Sequence, residues 1–139
     1  MPVTPEDEAA EERAFQRVRE RSIGVGEAIA AEEGGCALGA EIAAALGISE
    51  RDLERLLAAH EVFRLPEGYP RWQLRDGRVL PGLREVLRAL AEQGREGYAV
   101  ALFWTTSAEA LDGKRPLDLL RAGKLDGVLR HVERWCGVQ

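Results

Sequence analysis

Histidine and cysteine are almost missing from this 139-residue chain, which has only His60, His131, Cys36 and Cys136. A zinc site needs three or four well-placed ligands. The sequence has no CxxC and no HExxH, and His131 and Cys136, five apart, do not share a helical face. His60 falls at a helix end, where the dipole favours a cation, and each cysteine reads as a small apolar residue. A nucleophile would need a partnered base, and neither Ser49 nor Ser107 stands in a nucleophile-elbow sequence. Gly24-Val25-Gly26 lacks the third glycine of a dinucleotide fingerprint, position 29 being Ile29. Carboxylates are plentiful but alternate with arginine at surface spacing, Glu50 and Glu54 beside Arg51 and Arg55. Also missing is any apolar run near the roughly 18 residues of a membrane-spanning helix. The opening Met-Pro-Val-Thr-Pro-Glu-Asp-Glu reads as the opposite of a hydrophobic leader, and none is expected. The expectation is a cytoplasmic chain in reducing surroundings, not an enzyme, without cofactor or metal, and with no membrane among its partners.

What is present is ordinary globular composition, 45% apolar against 31% charged, enough for one modest core and against wholesale disorder. The net charge of −5 is uneven: residues 1–33 carry −5, residues 34–72 carry −2, and residues 73–139 carry +2. Non-specific DNA coating is mostly lysine and arginine neutralising phosphates, so an acidic chain does not do it, although local contact stays open.

Residues 6–21 read as an acidic, arginine-containing helix with few apolar anchors, and Gly34-Gly35 mark a break further along the chain. Leu38, Ile42 and Leu46 then repeat every four residues along one helical face. Gly47 stops that helix, and Ser49 caps the next, with Asp52 placed for a capping box. Leu53, Leu56 and Leu57 give the second helix its buried stripe, which makes a helix-turn-helix. Phe63 and Leu65 alternate, as do Trp72 and Leu74 beyond Pro66-Glu67-Gly68, and this predicts two short strands, a small β-wing. Asp76-Gly77 is a turn, and Pro81 suits a first helical position. Leu83, Val86, Leu87 and Leu90 form the strongest amphipathic pattern in the chain. Tyr98 to Trp104 fits a buried helix or a strand, and helices on both sides favour helix. Pro116 opens a short helix closed by Gly123, and Leu125, Val128, Leu129 and Val132 mark a last one reaching Trp135.

Binding is then the function to test. A helix from Ser49 to His60 entering a major groove would present Glu50, Arg51, Asp52, Glu54 and Arg55. Three of these five are acidic, whereas recognition helices favour Arg, Lys, Asn or Gln. Ser49, Arg51 and Arg55 are the candidate DNA contacts. Lys114, Arg115, Arg121, Lys124, Arg130 and Arg134 cluster within 21 positions. They read as the solvated edge of a bundle or as a cationic, partly apolar surface for an acidic partner. His131, beside Arg130, is expected to be exposed.

The stretch Leu111-Asp112-Gly113-Lys114-Arg115-Pro116-Leu117-Asp118-Leu119-Leu120-Arg121-Ala122-Gly123-Lys124-Leu125-Asp126-Gly127-Val128-Leu129 resembles the signature of the MbcA/ParS/Xre antitoxin toxin-binding domain. Pro70 to Leu74 and Asp76 to Leu83 resemble that family's link into the domain, and Ala40 to Ser49 its helix-turn-helix. The resemblance covers roughly residues 36–135. It implies an antitoxin that binds a RES-domain toxin, an enzyme consuming NAD or transferring ADP-ribose from it, and obstructs its pocket. It also implies, in many members, repression of the operon through operator DNA, and a homodimer is expected of this chain. Carried over, the toxin-facing residues are Lys114, Arg115, Asp118, Arg121, Lys124, Arg130, Arg134 and Trp135. Trp135 is equally well read as a lid on the bundle's own core. The recognition helix departs from the family by being less basic.

The expected fold is mainly α, a helix-turn-helix with a small β-wing followed by a C-terminal helical bundle. Its parts are an acidic segment over 1–35, the helix-turn-helix unit over 36–75 and a toxin-binding domain over 76–139. The alternative function is a stand-alone DNA-binding regulator whose C-terminal unit only dimerises.

Overall fold

The computed structural model describes residues 27–135. The helix expected over residues 6–21, the Gly24-Val25-Gly26 loop and Cys136 lie outside them.

The chain is mainly α-helical with small antiparallel sheets. Helices α1 (Gly39–Leu46) and α2 (Glu50–Ala58) form the helix-turn-helix. Gly47, at φ 72° and ψ 30°, ends α1 in the left-handed region, as its lack of a Cβ allows. Ser49 Oγ then accepts the Asp52 N–H at 3.1 Å. Asp52 directs its carboxylate to Arg55 at 3.6 Å. The expected α1 stripe is corrected at its first member. Leu38 sits in extended backbone at the helix N-cap and is 75% exposed, while Ile42 and Ala43 are buried.

The β-wing exists, and of the residues expected in its strands it takes in Leu74 alone. Phe63 and Leu65 form no strand; Leu65 and Gly68 only close a tight turn on each other. Strand β1 (Cys36–Ala37) pairs antiparallel with β2 (Tyr69–Pro70). The wing is β3 (Leu74–Arg75) paired with β4 (Arg78–Val79), joined by Asp76 at φ 55° and Gly77 at φ 74°. Two successive positive φ values give the hairpin turn whose twist matches its strands, which is why an Asp-Gly pair closes it. Trp72 is in a single 3₁₀ turn, Arg71–Gln73.

Helices α3 (Leu83–Glu92) and α4 (Tyr98–Thr105) come next, the latter settling the helix-or-strand choice. Pro81 stands two residues ahead of α3 rather than in it, because Gly82 at φ 87° takes the N-cap position. Gly82 lies so close to Leu120 and Leu125 that a Cβ there would come within 2.9 and 3.0 Å of their methyls. Helices α5 (Pro116–Arg121) and α6 (Leu125–Arg134) follow, the last among the described residues.

Two apolar clusters result. The smaller joins Ile42, Ala43 and Leu53 of the helix-turn-helix to Ala37, Val62 and Tyr69. The larger gathers Leu83, Val86, Leu90, Phe103, Trp104, Leu117, Val128 and Val132 and takes in Phe63, Leu65 and Trp72. Val79 of the wing packs against both clusters.

Candidate functional site

Two surfaces carry the residues singled out in the sequence. On the first, α2 exposes Arg51 and Arg55, one helical turn apart. Ser49 serves as the helix cap. Two of the three acids beside the arginines have partners of their own, Glu54 with Arg64 at 3.5 Å and Asp52 with Arg55 at 3.6 Å, whereas Glu50 makes no ion pair among the described residues. On α1, Glu41 pairs with Arg71 at 2.6 Å. The wing adds Arg75 and Arg78, directly opposite each other at its tip. Gly77 tucks the tip against α1, where a Cβ would come within 3.3 Å of the Ala45 carbonyl. Arg75 Nη1 donates to the Arg121 carbonyl at 3.1 Å, which joins the wing to the end of α5.

The second surface is on the C-terminal helices, where the predicted residues divide in two. Arg115, Asp118 and Arg121 are turned onto the protein itself. Asp118 accepts from the Arg115 backbone N–H at 3.2 Å and from its guanidinium at 3.0 and 2.8 Å, which caps α5. Arg115 also reaches Glu33 at 2.7 Å, and Arg121 reaches the other Glu33 oxygen at 3.3 Å. Glu33, in the left-handed region at φ 52°, therefore clasps both arginines, Arg121 from 88 residues away in the sequence. The hydrogen bond from Arg115 is the main reason that the Asp118 and Glu33 carboxyls both lie below their ordinary values. Nothing in the sequence marked Glu33: it is one acid among several in a stretch without periodicity.

Depressed carboxylate values make the clasp stabilising where both groups are ionised in the unfolded chain too, and it weakens as acid protonates them. Glu33→Gln removes one of these groups. Its urea midpoint should therefore fall less steeply than that of the parent as pH drops from about 5 to about 3. Parallel curves for the two proteins would mean that the clasp contributes nothing.

The other residues remain outward. Lys114, Lys124, Arg130 and Arg134, with Asp112 and the flank of His131, line an open cleft of about 310 Å³ walled by Leu111 and Leu119. His131 is half-buried rather than exposed, because its ring stacks on Phe103 at 5.6 Å. Burial, then the nearby Arg134, pushes its pKa down. Trp135 lies edge-on to Phe103 at 5.3 Å under the Arg95 guanidinium at 4.9 Å, covering the end of the larger core.

Among the described residues no cluster of three or more His, Cys, Asp or Glu side chains could hold a metal ion. No helix there is long and apolar enough to cross a membrane. The chain matches no family model and no curated protein. It is similar in fold to the solved NMR structure of Rv2175c, with 20% sequence identity and a TM-score of 0.63 over 74% of this chain and 82% of that one.

Proposed function

We propose that this chain is a helix-turn-helix DNA-binding regulator that acts as a homodimer, with α2 in the major groove and the wing beside it. The observation that carries this is the internal pairing of two of the three acids on α2. Glu54 is neutralised by Arg64 and Asp52 by Arg55, while Arg51 and the wing's Arg78 make no ion pair among the described residues. The acidic count that weighs against DNA in the sequence is therefore reduced where a phosphate would approach. Phosphate contacts then position the protein; Arg51 is the unpaired side chain able to reach a guanine edge, and Arg55 reaches one by leaving Asp52. A dimer would place two such helices about one turn of DNA apart.

The test is fluorescence anisotropy on duplexes enriched from a random pool. Arg51→Glu with Arg55→Glu should weaken binding by about a hundredfold, at roughly 1–3 kcal/mol for each lost base contact. Arg78→Glu should weaken all duplexes alike and reduce the salt slope by about one. If no duplex is enriched at low salt, the proposal fails.

A second reading has its own support. The outward cations Lys114, Lys124, Arg130 and Arg134, together with the resemblance of residues 111–129, fit an antitoxin that docks on a RES-domain toxin. Arg115, Asp118 and Arg121 would there hold the docking face in shape rather than touch the toxin. Co-expression with the protein from the adjacent reading frame distinguishes the two. Under this second reading the neighbour alone depletes cellular NAD or halts growth, and this chain restores growth in a stable complex.

A further inference from the structure

The concavity between the 112–115 turn and α6 is lined by several cations. Its cations come from three places: Lys114 from the turn, Lys124 from the α5–α6 junction, and Arg130 with Arg134 from α6. Lys114, Lys124 and Arg130 have no ion-pair partner among the described residues, in a chain whose acids outnumber its lysines and arginines 24 to 19. Arg115 and Arg121, a few residues away, are by contrast both paired with carboxylates. Among the described residues, Asp112 is the one carboxylate on the wall of this cleft and Asp126 the one on the adjoining wall beside Gly127, against Lys114, Lys124 and Arg130.

The floor of the cleft is a second, independent observation. Gly127 lies inside α6, where glycine weakens a helix relative to alanine. Packing does not require it, because a Cβ at that position would meet no atom within 4 Å. The space above it opens into the cleft and into an adjoining one that shares Leu119, Lys124 and Arg130. A bare helix backbone between converging cations lets a tetrahedral anion approach the main chain more closely than a side chain would permit. The cleft is of small-molecule size and has apolar walls at Leu111 and Leu119.

We infer that this cleft binds a small phosphorylated molecule through a pyrophosphate-like group, independently of the DNA surface. Lys124 and Arg130 grip the phosphates above Gly127, Lys114 closes the far side, and Leu111 and Leu119 face the ligand's less polar body.

Calorimetric titration of the full chain tests this, with inorganic pyrophosphate and ADP as the probes and citrate as the carboxylate control. Both phosphate probes should bind at one site per chain. Binding should weaken by about tenfold or more in Lys124→Glu and in Arg130→Glu, and should be unchanged in Arg78→Glu on the wing. Gly127→Ala gives the sharpest readout, because its two effects run in opposite directions. The melting temperature should rise through better helix propensity while pyrophosphate affinity falls. The inference is overturned by silence toward both phosphate probes, by citrate binding as tightly as pyrophosphate, or by equal weakening in Arg78→Glu. It is also overturned if Gly127→Ala leaves affinity intact, or if the Lys124 and Arg130 variants lose only DNA or a protein partner.

Discussion

Replacing Trp104 by alanine is expected to remove about 3–5 kcal/mol of folding stability, much of what a domain of this size has. The side chain is fully buried. It lies at the middle of a chain of rings that runs from Phe63 through Trp72 at 5.2 Å, to Trp104 at 5.8 Å, to Phe103 at 5.3 Å and on to Trp135 at 5.3 Å. Those rings belong to the loop after α2, the 3₁₀ turn, α4 and the end of α6. Alanine would therefore open a void where separate stretches of chain meet, and rigid neighbours could not collapse to fill it. Trp104→Phe should be far milder. The indole N–H is buried and makes no hydrogen bond among the described residues, so the smaller ring also removes an unsatisfied donor. Urea unfolding measures both variants. The midpoint should drop sharply for alanine and modestly for phenylalanine, with the slope unchanged. Similar losses in the two would show that ring packing is not what Trp104 contributes.

The helices were legible because each carries a signal as long as itself. Ile42 and Leu46 with Gly47 and Ser49 mark α1, its turn and the start of α2. Leu83, Val86, Leu87 and Leu90 mark α3, and Pro116 with Gly123 bracket α5. The wing was legible as a feature but not in its place. Its strands are two residues each, too short for alternation to identify, and the stronger alternation at Phe63 and Leu65 belongs to buried residues outside any strand. Only the Asp76-Gly77 pair located the true turn. At the candidate sites, the sequence found the basic cluster but could not divide it. Which arginines face inward depends on Glu33, and local spacing carries no trace of a contact made 88 residues away. The acids on α2 raised the same difficulty: Glu54 weighs against DNA until Arg64 is seen beside it.

Gln73 explains why Phe63 needs no strand partner, and its replacement is expected to have the second large effect. It is the one buried polar residue of the described core. Its Oε1 accepts the Phe63 N–H at 2.7 Å, and its Nε2 donates to the Phe63 carbonyl at 2.8 Å and to the Pro70 carbonyl at 3.1 Å. One side-chain amide thus does for Phe63 what a neighbouring strand would do. Gln73→Leu leaves these backbone groups buried and unpaired, at about 1–3 kcal/mol each, for an expected loss of about 3–5 kcal/mol. Gln73→Glu separates hydrogen bonding from volume. As a neutral acid it can still accept from the Phe63 N–H and donate one hydrogen bond, whereas as a carboxylate it would face two carbonyl oxygens with no proton to give them. Burial and those carbonyls raise its folded pKa above the unfolded value of about 4.3. A raised carboxyl binds more protons folded than unfolded, so stability is retained below that unfolded value and lost as pH rises through the folded one. The difference in unfolding free energy between Gln73→Glu and the parent, read from urea titrations, should accordingly be small near pH 4 and large near pH 7, by about 2 kcal/mol or more. A difference that did not change with pH would mean that the amide is not what holds the Phe63 backbone in place.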